Sequence, residues 1–223
     1  MASPTSEAKL PDIATVADSC FITSHRLTEW VSNAPSMEED VAIGNIALDL
    51  LGQARGLYAV LGDEDELAYF RDAPDWRNLV ICELPNGDFG QTMLRLLFVS
   101  EWLAVVWRSL AGHDDLQVRG VAEKALKENA YHRRHATTWV TRLGDGTEES
   151  HRRMALALDA LTPWLADLAG PQWLDAISPL LEGAGLGPLP PLPEVAVAAH
   201  TEHLSALLTE MQSLARAHPG ATW

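Results

Sequence analysis

The chain has 223 residues, of which 47% are hydrophobic and 21% charged, and its formal net charge is -15. That length suits one domain with a sizeable core, and the composition excludes a disordered or fibrous chain. The acidic balance argues against nucleic acid as a partner, because binding to phosphate backbones relies on clustered Lys and Arg.

The first residues, Met1 to Pro11, lack a basic stretch followed by an apolar block, so no secretory signal is expected. No apolar run reaches the roughly 18 residues of a spanning helix, so no membrane association is predicted and the cytoplasm is the expected compartment. Cys20 and Cys82 are the only cysteines and form no Cys-x-x-Cys pair. They read as buried thiols rather than as a disulfide or a zinc site.

Taken in chain order, helical periodicity begins at Ile13 and runs to about residue 32, with Pro35 ending the segment. Ser36 to Glu39 has the Ser-x-x-Glu spacing of a capping box and opens a second helix to Leu61. Ile43, Ile46, Ala47, Leu50, Leu51, Ala54, Leu57, Tyr58 and Leu61 form one broad apolar stripe on it. A short helix is expected around Glu66 to Arg71. Asp88 caps a third long helix, Phe89 to about Leu110, which is apolar nearly all round and should be the most buried element. A fourth long helix starts at Asp114 or Asp115 and runs to Leu143, with Gly144 placed for a left-handed C-cap. Thr147 opens a fifth, ending near Leu168 and Gly170. Pro188, Pro190, Pro191 and Pro193 mark a stiff connection near 188–193, and a last helix is predicted from about Val195 to Ala217. No segment alternates as a strand. The expected fold is therefore all-α: a four-helix bundle with additional C-terminal helices, in a single domain spanning 1–223.

A bundle of this size raises the di-iron carboxylate class, whose site takes Glu from two helices and Glu-x-x-His from two others. The one Glu-x-x-His spacing, Glu148 to His151, lies in the first turn of the fifth helix, where acidic residues already complement the helix dipole. In the core-facing positions the pattern is degenerate. Asp49 is followed three residues later by Gly52, and Glu128 by Tyr131, with His132 one step further on. Glu128 and His132 share a face, as a weak site or as a hydrogen-bonded pair. Glu101 could add a carboxylate or sit at an exposed patch. Lys124, four residues before Glu128, either pairs with it on the surface or turns inward and neutralises Asp49 and Glu128 in place of a metal. The inward arrangement is the expectation carried forward. No metal ligands and no catalytic residues are assigned, and the phosphate-binding loops and the serine-hydrolase elbow are absent. His200, Glu202 and His203 form a polar cluster read as a partner or surface contact rather than a ligand set.

Specific stretches of the chain resemble one family. These are Leu27-Thr28-Glu29-Trp30; Glu38 to Arg55, which contains Asn45-Ile46-Ala47-Leu48-Asp49-Leu50-Leu51-Gly52-Gln53; and Glu83-Leu84-Pro85-Asn86-Gly87-Asp88-Phe89. Further matches are Lys124 to Glu128, Tyr131-His132, Arg142 to Thr147, and His200-Thr201-Glu202-His203-Leu204. Together they are similar to the family of C-type subunits of phenylacetyl-CoA epoxidase. The resemblance implies a ferritin-like fold and a structural subunit of a multicomponent monooxygenase. In such an assembly the di-iron centre belongs to a partner, the A-type catalytic subunit, and electrons come from a separate reductase. No cofactor is then expected in this chain. One departure is the run Ala196 to Ala199 before His200, where the family often has glycine and basic residues. Alternatives from the residues alone are a self-sufficient di-metal oxidase and a helical binding module without an oxygenase partner. Contacts between two copies of the chain also stay open.

Overall fold

The computed structural model describes residues 11–194 and 200–221. The helices are α1 (Ile13–Thr28), α2 (Met37–Leu61), α3 (Glu64–Tyr69), α4 (Val80–Glu83), α5 (Phe89–Leu110), α6 (Leu116–Gly144), α7 (Glu148–Leu161), α8 (Pro171–Gly183), α9 (Glu202–Met211) and α10 (Ser213–Ala217). Among the described residues there is no strand. Asp12, Ser36, Asp63, Asp88, Asp115, Thr147 and Thr201 each cap a helix by accepting a backbone N–H. The elements begin where short polar side chains can satisfy the first orphan amides.

Two antiparallel pairs, α1 with α2 and α5 with α6, make the bundle, and α2 against α6 joins them. The helix α5 is apolar along a length that could cross a membrane, yet 83% of its most apolar stretch is buried inside the fold. The helices α7 and α8 cover it from outside the bundle, and α4, backed by α9, covers α1. Trp107 and Trp173 are the largest fully buried side chains, and Trp173 Nε1 donates to the Phe98 carbonyl at 2.9 Å. One apolar cluster runs from Val16 on α1 to Leu208 on α9.

Several local expectations are corrected. The first helix stops at Thr28, and Ser32 beyond it has φ 69°, its N–H held by Asp40 Oδ2 at 2.9 Å. The Ser36 hydroxyl accepts from Glu39 N at 3.3 Å, but the Glu39 carboxylate turns to His135 instead of closing the box. Gly144 is the last residue of α6 and is not left-handed. A Cβ there would lie 2.1 Å from the Ala184 carbonyl oxygen, so close backbone approach is what requires glycine. The fifth helix ends at Leu161, and α8 follows as an element with no counterpart in the sequence reading. The last helix starts only at Glu202 and breaks at Gln212, while Val195 to Ala199 lie outside the described residues.

Candidate functional site: the polar seam between α2 and α6

Where α2 and α6 meet, polar side chains face one another in rows. The seam begins with Gly56 on α2, whose missing side chain makes room for Val121; a Cβ would come within 2.7 Å of Val121 Cγ2. One turn on, Gln53 Nε2 donates to Glu128 Oε2 at 3.0 Å, and its carbonyl faces the Cys20 thiol at 3.8 Å. Next, His132 Nε2 meets Asp49 Oδ2 at 3.0 Å. His132 is fully buried and its Nδ1 has no partner among the described residues, while Asp49 accepts the proton carried on Nε2. Burial lowers its pKa against the opposing pull of Asp49. Further along, His135 Nε2 and Glu39 Oε2 lie 3.1 Å apart without the alignment of a hydrogen bond. Burial lowers the His135 pKa too, opposed by Glu39.

Lys124 is not inward. Its side chain is 72% exposed and reaches along α6 to Glu128 Oε1 at 3.1 Å, so the interior charge replacement expected for it is corrected. At four residues before Glu128 it stands on the outer flank of the seam, where a hydrated ammonium keeps its water. From α6 a buried carboxylate is neutralised instead by Arg133, whose Nε donates to Glu101 Oε1 at 2.7 Å; Glu101 is 2% exposed. Tyr131 points outward, 39% exposed and stacked on His135. Of the six residues grouped from the sequence, the structure brings together Asp49 with His132 and Lys124 with Glu128, sets the Tyr131 ring edge-on to His132 at 6.4 Å, and leaves Glu101 apart with Arg133. Gln53, Arg133, Glu39 and His135 were missed. Gln53 carried a signal, being a polar residue on the apolar stripe between Leu50 and Leu57.

These donor sets do not fit a di-iron centre. Glu128 already receives an amide and an ammonium, Asp49 a ring N–H and Glu101 a guanidinium. Gly52 is exposed, with open space where its side chain would begin. Among the described residues, no three of His, Cys, Asp and Glu converge as a metal ion requires. At Glu148 the Glu-x-x-His spacing has another use: His151 Nδ1 donates to the Gly144 carbonyl at 2.7 Å and closes the end of α6.

The histidine cluster before α9 splits. The His200 ring turns in, its Nδ1 2.7 Å from Glu83 Oε2 and its Nε2 2.8 Å from the Trp76 carbonyl. Both partners only accept, so both nitrogens carry protons and His200 is an imidazolium. Its hydrogen bond to Glu83 raises its pKa. Burial pushes the Glu83 carboxyl up, but donors from His200, Asn78 and Thr201 more than offset this and hold it below the usual range. The Glu83 side chain is fully enclosed, and its backbone carbonyl accepts from Arg26. Glu202 stays exposed, and His203 contributes its carbonyl to Arg26. Nearby, the Arg95 guanidinium bonds the Leu84 and Pro85 carbonyls and Asn86, and burial lowers its pKa to about 10. The Leu84 to Asp88 turn is thereby fixed from beneath.

A bundle of two antiparallel helix pairs, with a polar seam where α2 meets α6, defines a ferritin-like helical protein. Residues 1–172 match the family described as phenylacetic acid catabolic protein. The chain is also 36% identical over 239 aligned positions to the C-type subunit of 1,2-phenylacetyl-CoA epoxidase from Escherichia coli strain K12, covering 93% of this chain and 96% of the relative. The chain belongs to the phenylacetic acid catabolic protein family.

Proposed function

We propose that this chain is the structural, non-catalytic subunit of a multicomponent 1,2-phenylacetyl-CoA epoxidase, working in the cytoplasm in aerobic phenylacetate degradation. Its partners in this reading are an A-type subunit that holds the di-iron centre and a reductase supplying electrons. The observation that carries the reading is similarity along nearly the whole of both chains to the C-type subunit of that enzyme. The polar groups between α2, α5 and α6 support it, since Glu128, Asp49 and Glu101 each already accept from a protein donor.

The test is reconstitution. Purified alone after anaerobic loading, the chain should hold far less than one iron per molecule and should not epoxidise phenylacetyl-CoA. With the catalytic subunit and reductase it should form a stable heteromer and support turnover. Two irons per chain, or epoxidation by the chain with reductase alone, would overturn the assignment.

A further inference from the structure

We infer that the outer face of α2 and α6 is the surface on which the catalytic subunit docks, and that this partner presents uncharged helix surface to α2 and acidic side chains to α6. The inference rests on the reading of the chain as an epoxidase subunit.

The bundle is covered unevenly. The helix α5 lies under α6, α7 and α8, and α1 lies under α2 and α4, whereas the described elements packed against α2 are α1, α3 and α6, none of which covers its outer side. That bare layer carries six of the nine large hydrophobic side chains exposed among the described residues. On α2 they align: Met37 is 81% exposed, Val41 60% and Leu48 65%, at spacings that repeat on one helical face. Scattered exposed leucines need no explanation, but a row on one uncovered face marks an interaction surface.

The glycines add an independent sign. Gly44 and Gly52 on α2 and Gly120 on α6 have nothing within 4 Å of a would-be Cβ. Each weakens the helix interior relative to alanine, and no contact among the described residues requires it. Close approach of a partner helix accounts for all three.

Charge selects the partner. In a chain of net charge -15, α6 carries six basic residues against two acidic ones. Lys127 and Arg134 lie exposed on its outer side, and neither has a carboxylate within ion-pair distance among the described residues. The α2 face is uncharged at Val41, Gly44, Leu48 and Gly52, and its acidic residues lie in the first turn (Glu38, Glu39, Asp40) or are bound to His132 (Asp49), so a second copy would meet the α6 cations with free carboxylates only at one end of the helix. The size is adequate. A helix of 25 residues is about 37 Å long, and two neighbouring helices present a width of about 20 Å. The product, roughly 700 to 800 Å², matches the share of one partner in a specific interface.

The experiment measures binding of the catalytic subunit to the full chain and to four variants. Gly52→Gln, which fills open space on an exposed helix, should leave the melting temperature of the isolated chain equal or higher while weakening binding at least tenfold. Leu48→Glu should weaken it similarly. Lys127→Glu should slow association and reduce its salt dependence. Leu156→Glu, on the exposed side of α7, should bind as the unmodified chain does. If the unmodified chain binds and Gly52→Gln and Leu48→Glu bind equally well, this face is not the docking surface, although the subunit reading stands. Failure of the unmodified chain to bind refutes that reading and this inference with it. A homodimer that Gly52→Gln converts to monomer would make a second copy the occupant instead.

Discussion

At the scale of single residues, burial decides which charges matter in the seam. Removing one member of a buried ion pair strands the other and typically costs about 3 to 5 kcal/mol, whereas exposed pairs contribute about 1 kcal/mol or less. Lys124→Met should therefore shift stability in denaturant melts by less than about 0.5 kcal/mol, since its ammonium is solvated. Arg133→Met should cost about 2 kcal/mol or more, because Glu101 is 2% exposed while Arg133 is only partly so. Adding Glu101→Gln should recover part of that loss, a coupling that a double-mutant cycle measures. Helical spacing placed Lys124 and Glu128 on one face, which is what the structure has. It could not say on which side of that face solvent lies. Nor could it reveal that Arg133, adjacent to His132 in sequence, serves a different helix. Pairings such as Gln53 with Glu128 or His135 with Glu39 depend on how α2 and α6 register against each other, and that is a tertiary quantity.

At the scale of elements, the long helices were legible because each has a polar cap and an apolar stripe that must be buried. The helix α8 was not, since it contains Pro171 and Pro179, and proline disfavours a helix interior. Yet Pro171 occupies the first turn, where no N–H is needed, and Trp173, Ile177 and Leu181 recur at four-residue spacing on its buried side. The C-terminal element depends on more than its apolar Leu204, Leu207 and Leu208, because the Glu83 to His200 and Thr201 hydrogen bonds fix where α9 begins. Charge-assisted hydrogen bonds of this kind contribute about 1.5 to 3 kcal/mol each. His200→Ala should thus lower hydrogen-exchange protection of α9 by about tenfold or more, after correction for intrinsic rates, while α5 is unaffected. The pH dependence follows from the two shifts. The raised His200 pKa makes its contribution complete below 6.5 and lost as pH rises through the folded value. The lowered Glu83 pKa makes its contribution complete above 4.5 and lost as pH falls through the folded value. Attachment should be firmest between those limits. Protection of α9 that stays flat through the alkaline arm would remove the imidazolium from the account.

At the scale of the whole molecule, histidines whose pKa burial lowers make stability sensitive to mildly acid pH. His25 sits near the end of α1 with its ring 4.7 Å from Phe21, and burial lowers its pKa from 6.5 to about 4. Burial lowers His132 and His135 in the same direction. A base whose folded pKa lies below its unfolded one takes up its proton first in the unfolded chain. Its stabilisation is therefore complete above 6.5 and is lost as pH falls towards the folded value. For His25 alone, the loss between pH 7.5 and pH 5 is about 2 kcal/mol, a large part of the 5 to 15 kcal/mol that typically holds a domain together. His200 works in the opposite sense but stands at the edge of the bundle and ties down only the C-terminal helices. Global unfolding by urea should accordingly weaken steadily from pH 7.5 to pH 5. His25→Leu should flatten that decline by about 2 kcal/mol whatever it does to stability at pH 7.5, since it removes a titrating group rather than a fixed contact. An unchanged pH slope in this variant, with the fold intact by circular dichroism, would move the acid sensitivity from α1 to the seam histidines, where His132→Leu would then flatten it instead.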